Sequence, residues 1–274
     1  MSGPTKPDGD GVRRLPAGRQ ADLAAFVTEA GEVTVSMLAE RYEVSTDTIR
    51  RDLDQLDADG ILVRTHGGAI SLASVPRRDA GLNVRLHLQT DEKEQIGRLA
   101  ARLVEDRSVL MINAGTTTLA VARHLRDHRE LTIATNNLLL PSEISPEVFR
   151  DLYVFGGSVR SVTQATMGPV RFHVGPRGTE LNIQADLALI AVGAISAGGG
   201  CSTSNLDEAT MMADMISCAS RVAILADSSK FDRQLFAQVT GFDRVDHLVT
   251  DTRPTGALAD ALRQHDVDVV VPAD

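Results

Sequence analysis

Apolar residues recur at helical spacing through the first part of the chain. In RQADLAAFVTEAG, Leu23, Phe26, Val27 and Ala30 share one face, and Gly31 predicts the end of that helix. TVSMLAERY puts Val35, Leu38, Ala39 and Tyr42 on one face of a second helix. After a short break at Glu43-Val44, Ser45 is a good N-cap, and Asp47 suits the positive end of the helix dipole. Ile49, Leu53 and Leu56 follow at i, i+4 and i+7, a stripe that must pack on the first two helices. Thr46, Asp47, Arg50 and Arg51 then lean away from the core. Gly60 predicts the helix end, and ILVRTHGGAI reads as two short strands around His66-Gly67-Gly68.

Beyond residue 90 the period changes. DEKEQIGRLAARLVED is helical, with Ile96, Leu99, Ala100 and Leu103 on one face. Short apolar runs follow: VLMIN, LTIATN, LYVFGG, LALIAVGA, VAILAD and HLVTD. Several are separated by helical stretches such as TTTLAVARHL and NLDEATMMADMISCAS. Alternating strand and helix predicts a mostly parallel sheet with helices on both faces. The stretch between the halves, SLASVPRRDAGLNVRLHLQT, has mixed composition and no sustained period. The expected organisation is a two-domain α/β chain: a helical domain with a hairpin over 18–72, a linker over 73–90 with room for a first helix of the next domain, and a sheet domain over 91–274. Residues 1–17, polar and rich in Gly and Pro, read as a disordered tail.

Each half points to chemistry. Helix, helix, tight turn, helix and hairpin is the order of a winged helix-turn-helix, whose helix after the turn enters the DNA major groove with its amino-terminal residues at the base edges. Arg is the usual reader of guanine and a frequent phosphate partner. Arg50 and Arg51 are therefore candidate DNA contacts. The alternative is a surface helix whose arginines pair with Glu43, Asp52 or Asp54.

In a parallel sheet, ligands bind beyond the carboxyl ends of the strands. Here those ends carry Gly115, Thr116 and Thr117 after VLMIN, Asn136 and Asn137 after LTIAT, and Gly156, Gly157 and Arg160 after LYVF. LALIAVGA leads to the flexible ISAGGGCSTSN with Glu208 beyond it, and VAILAD leads to Ser228, Ser229 and Lys230. Gly115 lets the backbone turn tightly, and the next amides open a helix, a ready anion site. Taken singly, the Gly-Thr-Thr is an ordinary helix start and Lys230 a solvated residue. Together these ends make a polyanion pocket: hydroxyls and amides for a sugar, a helix terminus and Lys230 for its phosphate.

Charge narrows the DNA reading. The net charge is −9, and residues 1–80 carry 10 Lys and Arg against 13 Asp and Glu. A protein that coats nucleic acid nonspecifically is usually basic. Binding here must rest on a few positioned cations and on dimerisation, and salt must weaken it. Trp is absent and aromatics are 3%, a poor basis for base stacking. Cys201 and Cys218 show no metal-ligand spacing and no disulfide framework, which fits a reducing cytoplasm. No apolar run approaches the roughly 20 residues of a membrane span, and the first residues lack the apolar region of a secretory signal. No cofactor and no metal are expected.

The run VSTDTIRRDLDQLDADGILVRTHGGA, with the helices before it, resembles the DNA-binding domain of the DeoR family of bacterial transcription regulators. The resemblance implies that Ser45, Thr46, Thr48, Arg50 and Arg51 work at double-stranded operator DNA, with Arg64, Thr65 and His66 at the wing. From about Asp91 onward, NAGTTT, TNN, FGGSVR, STSNLDEA and LADSSKF resemble the family's sensor domain, which is related in fold to ribose-5-phosphate isomerase. By that similarity Gly115, Thr116 and Thr117 hold phosphate, while Asn205, Glu208 and Lys230 hold or sense the sugar. Lys93 stands where the family usually has Lys; read without the family, it is a solvated helix residue. The family generally has Asp where this chain has Asn113, which puts one effector contact in doubt.

The resulting expectation is a homo-dimeric or tetrameric regulator, a repressor of sugar-metabolism genes, controlled by a sugar phosphate. One alternative is an isomerase-like enzyme using Glu208 or Asp186 as base with Lys230 as the cation for the enediolate. Another is a regulator whose sensor has lost its ligand and serves only for oligomerisation.

Overall fold

The computed structural model describes residues 16–58, 61–65, 67–71, 82–170, 172–174, 179–181 and 183–273. They fall into two compact units, one up to Leu88 and one from Gln89.

The first unit runs α1 (Pro16–Ala30), β1 (Glu32–Thr34), α2 (Val35–Arg41), α3 (Thr46–Ala58), β2 (Leu62–Arg64), β3 (Gly68–Ser71) and α4 (Leu82–His87). The stripes seen in the sequence meet in one core: Leu23, Val27, Leu38, Ile49, Leu53 and Leu56, with Val33, Val35, Leu62 and Ala69 from the sheet. Ala30, expected on the buried face, is exposed. The expected two-stranded hairpin is a three-stranded sheet in the order β1-β3-β2. The added strand pairs Val33 with Ala69 and Thr34 with Gly68. Gly68 has no room for a side chain, since a Cβ there would lie 1.8 Å from Val33 O. The turn between α2 and α3 places Glu43 at φ 52°, and Ser45 Oγ then accepts the Thr48 N–H at 3.2 Å, capping α3.

Two boundaries differ from expectation. The tail assigned to 1–17 overlaps α1, which starts at Pro16; proline's fixed φ and missing N–H suit a first helical turn. The stretch assigned to the linker, 73–90, carries the helix it had room for, α4, and the first residue of α5, but α4 groups with the first unit rather than the second; residues 73–81 lie outside the described residues, as does Gly60.

The second unit runs α5 (Thr90–Ala101), β4 (Val109–Ile112), α6 (Thr116–His124), β5 (Leu131–Thr135), α7 (Leu140–Glu143), β6 (Phe149–Val154), β7 (Ser158–Arg160), β8 (Ala165–Met167), β9 (Phe172–Val174), β10 (Thr179–Leu181), β11 (Ala185–Ala191), β12 (Ala194–Ser196), β13 (Gly200–Thr203), α8 (Leu206–Ser217), β14 (Ala219–Leu225), a 3₁₀ turn (Ser228–Lys230), β15 (Ala237–Thr240), β16 (His247–Val249), α9 (Gly256–Gln264) and β17 (Asp268–Val270). Seven strands form one sheet in the order β17-β16-β14-β11-β4-β5-β6. Every pairing in it is parallel.

The central strands are continuously apolar because both faces are covered. Met111, Ala188, Ile190, Val222 and Ile224 join Met211, Met215, Leu258 and Leu262 of α8 and α9 in one core. The alternate residues Leu110, Ile112, Leu187, Leu189, Ala223 and Leu225 are equally buried and face the other side, where α5 and α6 pack. Those two helices approach closely at Gly97, where a Cβ would lie 2.7 Å from the Ala120 backbone. An ion-pair cluster ties them further: Glu94 accepts from Arg123 and from His124 Nε2, the latter at 2.8 Å. Burial raises the Glu94 pKa, but its bonds to Arg123 and His124 outweigh that and hold it below the ordinary value. Because all seven strands are parallel, their carboxyl ends lie along one edge.

Candidate DNA interface and effector site

On α3 the polar face is Ser45, Thr46, Asp47, Arg50 and Arg51, all exposed, with Thr48 half-buried among them. Ser45 serves two ends, since its hydroxyl caps the helix and also meets the Thr48 hydroxyl at 2.9 Å. Arg50 pairs with Asp47 at 2.8 Å rather than with Glu43, Asp52 or Asp54. Both partners are more than half exposed, so the pair contributes about 0–1 kcal/mol and yields readily to a phosphate or a base edge. Arg51 has no side-chain partner among the described residues.

Asp52 is different. It is buried on the opposite face and takes a two-pronged bond from Arg19 in α1, Nε at 2.6 Å and Nη2 at 3.1 Å, with Gln20 Nε2 at 3.3 Å. The Asp52 hydrogen bond raises the Arg19 pKa against the opposing pull of burial.

At the wing, the Arg64 side chain is held within the fold. Its Nε donates to Asp54 of α3 at 2.8 Å, and its Nη1 to the carbonyls of Gly68 at 2.9 Å and Thr65 at 3.3 Å. Its guanidinium staples the hairpin to α3. Thr65 is half-buried, and its N–H donates to Gly68 O at 3.1 Å across the turn. His66 lies outside the described residues.

In the second unit the chain turns at the end of β4 into α6. Gly115 is the N-cap, with no side-chain cap, and the buried Thr116 and Thr117 present the unbonded amides of the first helical turn. The Thr118 hydroxyl fixes the turn by donating to Asn113 O at 2.7 Å.

Two of the asparagines expected at the effector are spent on the backbone. Asn113 is buried; its Oδ1 accepts the Ala191 N–H at 2.8 Å, and its Nδ2 donates to the Ala191 carbonyl at 2.9 Å. It extends the ladder between β4 and β11 by one side-chain rung. Asn136, also buried, accepts the Ala114 N–H at 2.7 Å and donates to Thr166 O at 3.0 Å, tying the α6 turn to β8. Both belong to the framework under the site. Asn113→Asp removes the donor and faces a carboxylate to the Ala191 carbonyl, a loss of about 1–3 kcal/mol. Hydrogen exchange at the β4–β11 ladder of the full chain measures it, and a change under about 0.5 kcal/mol contradicts the clamp.

Gly157 has a similar framework role. It sits at φ +134°, and a Cβ there would lie 2.0 Å from Met167 O, so it lets the β7–β8 hairpin close on itself. Gly156 has open space around it. Asn205 caps α8, its Oδ1 accepting the Glu208 N–H at 2.9 Å. The Glu208 carboxylate accepts from Thr203 Oγ1 at 3.2 Å and lies 3.4 Å from Arg160 Nε. Lys230 closes a turn held by two carboxylates. Asp227 accepts from Ser229, and Asp251 accepts the Ser228 N–H at 2.6 Å and its hydroxyl at 2.8 Å. Burial raises the Asp251 pKa, but the bonds from Ser228 and Thr252 outweigh it and lower it on balance. Lys93 is not a solvated residue. It is buried on the face of α5 that carries Ile96, Gly97 and Ala100, the face that meets α6.

Asn136 ties the α6 turn to β8 and to α8, through Ala114, through Thr166 and, at 3.4 Å, through Met211 Sδ; Asn205 and Glu208 stand at the start of that same α8. Selection by strand ends missed Thr203, Asp227 and Asp251, which orient the carboxyl edge. The signal for Asp227 and Asp251 was the Asp that follows each of two apolar runs, VAILAD and HLVTD. Cys201 is buried, and desolvation pushes its thiol up to about 12, so it is not a reactive group. Among the described residues, no group of three His, Cys, Asp or Glu could hold a metal, and no helix is long and apolar enough to cross a membrane.

A winged helix-turn-helix joined to a parallel sheet domain with a polar carboxyl edge defines a class: a DNA-binding regulator with a sensor domain. Residues 88–252 match the DeoR C terminal sensor domain and residues 19–75 the DeoR-like helix-turn-helix domain. The chain belongs to the DeoR family. It is 32% identical over 255 residues to the HTH-type transcriptional repressor GlcR of Bacillus subtilis (strain 168), covering 92% of this chain and 95% of that one. It is 29% identical over 256 residues to the HTH-type transcriptional repressor CsqR of Escherichia coli (strain K12), covering 93% and 95%. The glycerol-3-phosphate regulon repressor of the same strain is 28% identical over 254 residues, covering 92% and 97%. On that membership the protein is a DNA-binding transcriptional repressor rather than an enzyme. Among solved structures it is similar to ribose 5-phosphate isomerase A from Methanocaldococcus jannaschii, with a TM-score of 0.33, 15% identity and coverage of 52% of this chain and 54% of that one.

Proposed function

We propose that a phosphorylated sugar binds the carboxyl edge of the parallel sheet and changes the affinity of a dimer or tetramer for operator DNA. The observation that carries the site is the start of α6. Its first amides have no capping side chain, and they open at the edge where the Asn205–Glu208 start of α8 and the turn ending in Lys230 also lie. Amides at a helix amino terminus favour phosphate through their N–H groups and the helix dipole. The name of one relative, a glycerol-3-phosphate regulon repressor, fits a phosphorylated polyol or sugar. The Asn113 side chain bonds only to Ala191 among the described residues, so its presence in place of Asp alters a strand clamp and leaves these amides in place. That favours a working sensor over one kept only for oligomerisation. Coupling requires that the ligand bind one DNA-competence state better than the other.

The test is a thermal-shift panel of pentose, hexose and triose phosphates on the full chain, alongside Thr116→Pro. Proline at the first helical position removes one amide donor at little cost to the helix, and Gly115 before it is already extended, at φ −176° and ψ 157°. A cognate ligand at 100 times its Kd adds about 2.7 kcal/mol in the parent and much less in the variant. A panel without any shift, or a shift that Thr116→Pro leaves intact, removes the site from this edge.

A further inference from the structure

Arg160 ends β7, the first strand of the hairpin that follows the edge strand β6. Its Nε lies 3.4 Å from Glu208 Oε1, yet this N–H is buried and makes no hydrogen bond among the described residues. The Arg160 side chain is 38% exposed and that of Glu208 14%. The carboxylate accepts the Thr203 hydroxyl on its other oxygen, and the Glu208 backbone N–H is held by the Asn205 cap of α8. The guanidinium is held by nothing but this one ion pair among the described residues. Its hairpin is anchored at the site, where the Thr166 N–H donates to Asn136 O at 2.9 Å and the Leu138 N–H to Gln164 O at 3.0 Å.

A guanidinium carries five donors in a fork that matches the oxygens of a phosphate two at a time. Here it has one imperfect partner, and a buried donor left unsatisfied is costly. Asn136 connects this corner to the start of α6 through Ala114 N and to α8 through Met211. Arg160 and Glu208 thus stand over the same edge as the free amides of Thr116 and Thr117.

We propose that Arg160–Glu208 is an exchange pair. Without effector, Glu208 occupies the guanidinium; the effector's anionic group takes over the Arg160 fork, and the released Glu208 carboxylate accepts the hydroxyls of the sugar. This rests on the reading of the edge as a sugar-phosphate site. The pair then sets specificity. A bare anion must displace Glu208 and leaves that carboxylate without compensation, whereas a sugar phosphate supplies donors to it. The hairpin that carries Arg160 follows the exchange and is the element through which occupancy reaches the rest of the domain.

The experiment is calorimetric titration of the full-length protein with inorganic phosphate and with the sugar phosphate that gives the largest thermal shift. The proteins are the parent, Arg160→Ala, Arg160→Lys, Glu208→Gln and Thr116→Pro, each checked for folding by circular dichroism. Arg160→Ala weakens both ligands by at least about tenfold, the scale of a lost charge-assisted bond. Arg160→Lys keeps the charge without the fork and recovers part of that loss. Glu208→Gln tightens inorganic phosphate and narrows the ratio between sugar phosphate and phosphate. A purely structural ion pair moves Arg160→Ala and Glu208→Gln in the same direction, and that result overturns the proposal. So does a phosphate affinity unchanged in Arg160→Ala while Thr116→Pro loses it, an outcome that leaves the site reading standing. If the parent binds neither ligand, the site reading fails and the exchange pair falls with it.

Discussion

Replacing Arg50 and Arg51 together with alanine lowers operator affinity by about 2–6 kcal/mol, at about 1–3 kcal/mol for each lost base contact. The expectation follows from what each arginine touches. Arg51 has no partner among the described residues, and Arg50 has only the exposed Asp47. Neither does structural work, so the fold survives their loss. The loss is felt because the rest of the module is acidic, so few cations are available to meet DNA. Titration of labelled operator with the parent and the double variant measures the effect. Operator affinity within about twofold of the parent excludes α3 as the recognition helix. The same substitution at Arg64 acts through the wing, which loses its bonds to Asp54 and to the carbonyls of Thr65 and Gly68.

Asp52→Ala destabilises the DNA-binding unit by about 3–5 kcal/mol, the usual cost of removing one member of a buried pair. Asp52 and Arg19 are 6% and 14% exposed at their side chains. Truncating Asp52 leaves the guanidinium buried between α1 and α3 without compensation. Hydrogen exchange of the α1 and α3 amides in the full chain reads the loss directly, while the amides of the parallel sheet keep their protection. A change below about 1 kcal/mol means that Arg19 finds water or another carboxylate. Replacing both residues by apolar ones of similar volume, as in Arg19→Met with Asp52→Leu, is expected to be neutral or stabilising. Asp52 is thus expected to stabilise the unit, and Arg50 and Arg51, its near neighbours on the same helix, are proposed to contact its DNA.

That division was only half legible in the sequence. The stripe Ile49, Leu53, Leu56 placed one face of α3 in the core, and a period of 3.6 then put Arg50 and Arg51 outside. The choice of ionic partners was not legible, because Asp52 meets Arg19 across 33 positions, and nothing local separates that carboxylate from Asp47 or Asp54. The central strands were readable because burial on both faces leaves continuous apolar runs such as LALIA. The strands of three or four residues, β1, β12, β13 and β15, carry too little pattern to show. β1 forms because Gly68 permits a close approach from the far side of the hairpin. At the sheet edge the residue types were readable and their duties were not. Asn113 and Asn136 have the chemistry of sugar ligands, and the structure uses both to bind backbone groups of neighbouring strands and loops. Arg160 stood in view after Gly156-Gly157, but its relation to Glu208 depends on a hairpin folding back against α8.

The central claim is that one protein couples a sugar phosphate at the sheet edge to DNA at α3. The most direct measurement is fluorescence anisotropy of the full chain on the DNA upstream of its own coding sequence, at several salt concentrations and with each member of a sugar-phosphate panel. The account predicts tight binding that weakens steeply with salt and shifts with one sugar phosphate, a shift that Thr116→Pro reduces. Tight binding that no sugar phosphate alters contradicts the coupling, and a shift fully retained in Thr116→Pro contradicts the site.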